Sequence, residues 1–199
     1  TFWNENYMRQ MTHVVVFGPE VATDGSIIWK NVDLTMLKYW GYWGSKMDTR
    51  VMVAFGGWNK SAGFPAMASS PTARAKFLNE LATLKDYFVY GIDIDWEGSD
   101  YDYNQPTTAV NELLQEMKQK LQPLGMKVSI ALHATGPAGI NVVGYGAVDW
   151  INVMCYDGSN HGTMTKLNEC MTGYAANYKS KAVIGFPFYY PTGPSAKGY

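Results

Sequence analysis

The sequence has no run of lysine and arginine, and its sixteen basic residues are matched by seventeen acidic ones over 199 positions, leaving a formal net charge of -1. A chain that gathers no positive charge cannot track a phosphate backbone, so nucleic acid is not an expected partner. No apolar stretch approaches the ~20 residues that a membrane-spanning helix needs, so no membrane partner is expected either. Cysteine is scarce: Cys155 and Cys170 make no disulfide framework and match no zinc spacing, and their parity favours a buried thiol pair over a nucleophile, with a bond between them left open. Of the histidines, His13 and His161 have no partners at metal-ligand spacing, and His133 ends an apolar run where it either lines a cleft or packs. The chain starts at Thr1 without a signal-peptide pattern, as a trimmed chain would, so location is not readable there. Asn59-Lys60-Ser61 fits a glycosylation acceptor, a triplet common by chance.

What is present is a core. The chain is 47% hydrophobic and 15% aromatic, with no linker, repeat or low-complexity run, which predicts one globular domain over residues 1–199 and a monomer. Short Val/Ile-rich runs alternate with amphipathic stretches, the pattern of a parallel α/β fold. The predicted strands are Thr12 to Phe17, Arg50 to Phe55, Phe88 to Trp96, Lys127 to His133, Val148 to Tyr156 and Ala182 to Phe188. Ser70 and Pro71 open a helix with Phe77, Leu78, Leu81 and Leu84 on one stripe. Val110, Leu113, Leu114, Met117 and Leu121 mark another, closed by Gly125.

The chemistry concentrates in Gly91-Ile92-Asp93-Ile94-Asp95-Trp96-Glu97, where three carboxylates stand at alternate positions. On an extended strand all three share a face, while Ile94 and Trp96 point to the other, so Trp96 is expected in the core. Grouped carboxyls repel, so one is expected to keep its proton at neutral pH, as a general acid must. A solvated edge strand would mix in Thr, Lys and Ser, and a hard cation would draw its oxygens from a loop.

These residues resemble the active-site strand of glycoside hydrolase family 18, the chitinases and their relatives, whose pattern is Asp-Gly-x-Asp-x-Asp-x-Glu. Three other landmarks follow in register: Ala54-Phe55-Gly56-Gly57-Trp58 resembles the family's third strand, Met154-Cys155-Tyr156-Asp157 its sixth, and Gly185-Phe186-Pro187-Phe188-Tyr189 its seventh. The resemblance implies a (β/α)8 barrel of the TIM type. A full barrel takes about 250 residues, so the chain is expected to hold an incomplete one, with Thr1-Phe2-Trp3 as the tail of a clipped first strand and the eighth missing.

The resemblance also implies a mechanism. Glu97 would be the general acid, and the substrate's own acetamide the nucleophile. Asp95 would hold the acetamide N–H and stabilise the oxazoline-like cation, Asp93 would share a proton with it, Tyr156 would bond the acetamide oxygen and Asp157 orient that group. Gly57, Trp58 and Tyr189 would fall on the substrate side, the two aromatic rings stacking on sugar or packing locally, and Met154 would be either a sugar-site wall or core filler. The implied substrate is β-1,4-linked N-acetylglucosamine, as chitin or its oligomers, with no metal or organic cofactor. An extracellular setting follows from where chitin lies. Two departures stand out: Tyr90 replaces an acid and Ala54 a hydroxyl, both of which support the middle acid in the family, so a shifted pH optimum is expected. The competing readings are a chitinase-like lectin, disfavoured because Glu97 is retained, and an endo-β-N-acetylglucosaminidase acting on N-glycans.

Overall fold

The computed structural model describes residues 5–97, 107–133, 146–156, 162–174 and 180–187. After a short helix α1 (Glu5–Met8) the described strands are β1 (His13–Phe17), β2 (Glu20–Val21), β3 (Ile27–Ile28), β4 (Arg50–Gly56), β5 (Gly91–Asp95), β6 (Lys127–His133), β7 (Trp150–Met154) and β8 (Ala182–Gly185). The helices between them are α2 (Leu34–Lys46), α3 (Phe64–Ser69), α4 (Pro71–Thr83), α5 (Thr107–Leu121) and α6 (Met164–Tyr174). Six strands form one sheet in the order β1-β4-β5-β6-β7-β8, every adjacent pair parallel. Parallel neighbours in chain order, with described helices before β4, β5, β6 and β8, make a partial (β/α)8 barrel. Residues 1–4, which hold the predicted clipped first strand, and residues 188–199 lie outside the described residues.

Helices cover one face. Val51, Val53 and Phe55 of β4, Ile92 and Ile94 of β5, and Val128, Ile130 and Leu132 of β6 meet Leu37, Phe64, Phe77, Leu81, Leu113 and Met117 in one core. Ser70 caps α4 by accepting from the Ala73 amide at 3.3 Å, and Asp33 caps α2 by accepting from Thr35 at 2.7 Å. Arg74, 5% exposed, joins three helices: its Nε and Nη2 meet the two Glu116 oxygens of α5 at 3.0 and 2.9 Å, and its Nη1 reaches the Ala68 carbonyl of α3 at 2.6 Å. A bidentate pair on the helical layer fixes the register of α4 on α5, which neither apolar stripe does alone.

Three expectations need correction. The acid strand starts at Gly91 rather than Phe88, because a 3-10 turn over Leu84–Tyr87 ends with Phe88 in the left-handed region at φ 60°. Strand β7 is likewise shorter than Val148 to Tyr156, with Cys155 and Tyr156 leaving the ladder, and β8 ends at Gly185. Strands β4 and β6 are buried along most of their length, whereas β1 and β8 end the described sheet, each paired on one side only among the described residues, and Val15, Phe17 and Val183 are exposed. The β2–β3 hairpin was not legible, being two residues per strand. Glu80 of α4 pins it by accepting from the Ile27 amide at 3.0 Å, and Gly25 at φ 86° fits where a Cβ would lie 2.0 Å from the Ala73 carbonyl oxygen.

Candidate active site

The face of the sheet away from the helices carries Ala54, Asp93, Asp95, Asn152 and Met154, which together with Tyr156 just past β7 line one cavity of about 270 Å3. Register explains the grouping: Ala54 pairs with Asp93, Gly56 with Asp95, and Asp93 with Ser129, so alternate positions of neighbouring strands point the same way. A depression of about 330 Å3 between α4 and α5 brings only Glu116 as an acid, already engaged by Arg74.

Asp93 is 4% exposed. Its Oδ1 accepts from Ser129 Oγ at 2.5 Å and from Asn152 Nδ2 at 2.9 Å. Burial pushes its carboxyl above the ordinary range, and the two donors hold it back. Asp95 is pushed up to about 8, first by burial and then by the charges of Glu97 and Asp93. The expected repulsion between carboxyls is therefore present but secondary to desolvation. Asp95 Oδ1 is buried and has no hydrogen-bond partner among the described residues. An acceptor left open in this way costs free energy unless something arrives to fill it.

Glu97 lies two residues past β5 and is half-buried. Its amide donates to Ser61 Oγ at 3.0 Å, and that hydroxyl in turn reaches the Gly57 and Asp95 carbonyls at 3.1 and 3.2 Å. Ser61, 1% exposed, thus anchors the end of the acid row. Within the glycosylation triplet its hydroxyl is used inward. Gly57, at φ 100°, leaves space that a side chain would take: a Cβ there would stand 2.3 Å from Phe17 Cζ and 3.5 Å from Asp95 Oδ2. Trp58 follows on the same loop, 59% exposed. Met154 and Tyr156 line the cavity, Met154 9% exposed. Trp96 stacks on Phe64 at 5.0 Å on the helical side, as its parity predicts. Asp157, Tyr189 and His161 lie outside the described residues.

The structure separates the two departures. Ala54 is buried beside Asp93, whereas the Tyr90 ring packs 5.6 Å from His13 and under the Arg50 guanidinium at 5.5 Å, near the start of β5. The donors that hold Asp93 are Ser129 and Asn152. Neither is singled out by the sequence reading, although each is a polar residue in an apolar strand and shares the parity of the acids, which is the signal that finds them. His133 is half-buried, and burial followed by the Lys166 charge lowers its pKa. Among the described residues no group of three His, Cys, Asp or Glu side chains is arranged to hold a metal ion.

Cys155 and Cys170 are joined in a disulfide between the end of β7 and α6, with Cα atoms 6.0 Å apart. Both are buried, at 3% and 0% exposure, and Tyr156 is the next residue. A cross-link spanning 15 residues restricts the unfolded chain, so Cys170→Ala is expected to cost about 3 kcal/mol in thermal or urea unfolding. The same loss on reducing the parent protein, and none on reducing the variant, would tie the effect to the bond.

Carboxyls in a row at the strand ends of a partial parallel barrel, beside a tyrosine and an apolar wall, make this cavity the candidate active site. Comparison gives the family: residues 3–198 match Glycosyl hydrolases family 18, and the chain belongs to that family. Endochitinase 1 of Metarhizium anisopliae is 35% identical over 153 residues, covering 71% of this chain and 34% of the relative. Chitinase C of Streptomyces lividans is 32% identical over 124 residues, covering 55% and 20%. The chain thus spans about a third or less of the length of these curated relatives. Among solved structures, a Rhizomucor miehei chitinase superimposes with a TM-score of 0.76 at 19% identity, covering 96% of this chain and 67% of that one. The Ostrinia furnacalis Group IV chitinase in complex with allosamidin gives 0.72 at 22% identity, covering 89% and 58%. These likenesses establish the barrel fold.

Proposed function

We propose that this chain is the catalytic part of a chitinase that cleaves β-1,4-linked N-acetylglucosamine polymers or oligomers with retention of configuration. The observation that carries this reading is the unfilled Asp95 Oδ1, buried beside the charge of Glu97. An acetamide N–H from an N-acetyl sugar is a donor of the right kind to fill it. Glu97 gives its proton to the glycosidic oxygen as the bond to the anomeric carbon breaks, and the acetamide oxygen bonds to that carbon. The resulting cyclic cation lies against Asp95. Positive charge there favours the ionised carboxylate, offsetting the burial that otherwise keeps it protonated. Glu97, now a base, takes a proton from water as water opens the ring, and the N-acetyl group is regenerated.

Tyr156 and Asp157 are assigned to the acetamide oxygen, and Trp58 and Tyr189 to neighbouring sugar faces. The disulfide fits an oxidising compartment, which supports a secreted protein. Among the described residues no helix is long and apolar enough to cross a membrane.

The test is release of a fluorescent leaving group from chitobiose and chitotriose conjugates, run beside a glycoprotein carrying N-linked glycans. Turnover of the conjugates is expected. Cleavage of the glycoprotein alone would select an endo-β-N-acetylglucosaminidase, and binding without turnover a lectin.

The departures give a second measurement. A hydroxyl restored by Ala54→Ser beside Asp93 would donate to its anion and lower its pKa, so the pH–rate limb set by the acid pair is expected to move acidward by about 0.5 to 1 unit. Adding Tyr90→Asp brings a carboxyl near Arg50 and is expected to change the limb less. An unmoved profile in the Ala54→Ser protein would end the explanation.

A further inference from the structure

The mechanism uses Asp93 as a partner that shares a proton, without saying which of its oxygens carries it. The atoms around it decide this. Trp150 and Asn152 occupy alternate positions on the acid-bearing face of β7, in register with Ser129 and Ala131 of β6. An indole N–H can only donate. Trp150 Nε1 lies 3.1 Å from Asn152 Oδ1, so that end of the amide accepts and the Nδ2 end is turned toward Asp93. Asn152 Nδ2 donates to Asp93 Oδ1 at 2.9 Å and also reaches Ser129 Oγ at 3.5 Å. Taking a lone pair of that hydroxyl leaves its hydrogen for Asp93, and Ser129 donates to the same Oδ1 at 2.5 Å. Two hydrogens already point at Oδ1, so a carboxyl proton placed there would meet both.

We propose that Trp150, Asn152 and Ser129 are positioning residues that form a one-way relay, confining the Asp93 proton to Oδ2, the oxygen neither donor uses. The acid then presents its proton in one direction, and its exchange with Asp95 along the row has a fixed starting atom. This consequence for catalysis rests on the chitinase reading; the atom assignment rests on the hydrogen bonds. Among the described residues around it, β4 offers Ala54, β6 Ser129 and β7 Asn152, and the charged groups are Asp95 and Glu97 on the segment of Asp93 itself. Beyond Trp150, the His13 ring lies 5.5 Å from the indole, with burial and then Arg50 lowering the histidine's pKa.

The experiment is a 13C titration of the aspartate carboxyls in the intact protein, in Ser129→Ala, Ser129→Thr and Trp150→Phe. Removing a donor to the anion should raise the Asp93 midpoint by about 1 unit in Ser129→Ala, and Ser129→Thr should restore it. Trp150→Phe keeps the ring but frees the amide to turn, so a smaller rise in the same direction is expected. On a chito-oligosaccharide conjugate, Trp150→Phe should lower kcat by about tenfold with KM within twofold, and the acid-pair limb should move alkaline. Midpoints unchanged in both Ser129→Ala and Trp150→Phe would overturn the relay. So would an equal loss of kcat at every pH. If the intact protein turns over no substrate, the chitinase reading fails by itself, and the titration still decides the relay.

Discussion

Glu97→Gln is expected to abolish turnover of chito-oligosaccharide conjugates, lowering kcat by a thousandfold or more, ~10³ to 10⁴, while KM stays within about twofold. Glutamine keeps the shape and one hydrogen-bonding oxygen but has no acidic proton for the departing sugar. Position should not change, because the amide of residue 97 is held by Ser61 through the backbone, which the substitution leaves untouched. Initial rates across a substrate series, with melting temperature as a folding control, give the answer. A variant retaining a tenth of parental kcat would remove Glu97 from the acid role.

Asp95→Asn is expected to change stability in a pH-dependent way as well as to abolish activity. The Asp95 carboxyl, ordinarily at 3.8, is held at about 8. Below about pH 4 it is protonated in both the folded and the unfolded chain. Between about pH 4 and 8 the unfolded chain releases the proton and the folded one keeps it, so stability from this group falls as pH rises and is lost above about 8. Asparagine cannot ionise and removes that slope. Parent and variant should melt together near pH 4, and the variant about 5 °C or more higher near pH 9. Equal differences in melting temperature at both pH values would show that burial of Asp95 carries no such cost.

Most of this arrangement can be read from the chain, because the informative residues are local. The acid row declares its face through a period of two, and the α5 stripe from Val110 to Leu121 is buried as the periodicity predicts. Lys127–His133 is matched to the residue, since an apolar run between a glycine turn and a polar end leaves little choice. What escapes is set by contacts across the chain. Ser129 and Asn152 acquire meaning only when β6 and β7 bring them to Asp93, 36 and 59 residues away. Ser61 is 36 residues from Glu97, and its place in a glycosylation pattern draws attention to the wrong atom. The acid strand also ends at Asp95 rather than Trp96, where the Asp95 carbonyl accepts from the Gly57 amide across the chain at 2.6 Å.

Ser61 also bears on how the mouth of the barrel moves. Its single oxygen is bonded to both the segment after β4 and the segment after β5. Neither can swing outward alone without breaking that junction, which couples the opening of the two segments. Hydrogen exchange at the Glu97 amide is then expected to be slow for a loop position, where fast exchange is the rule.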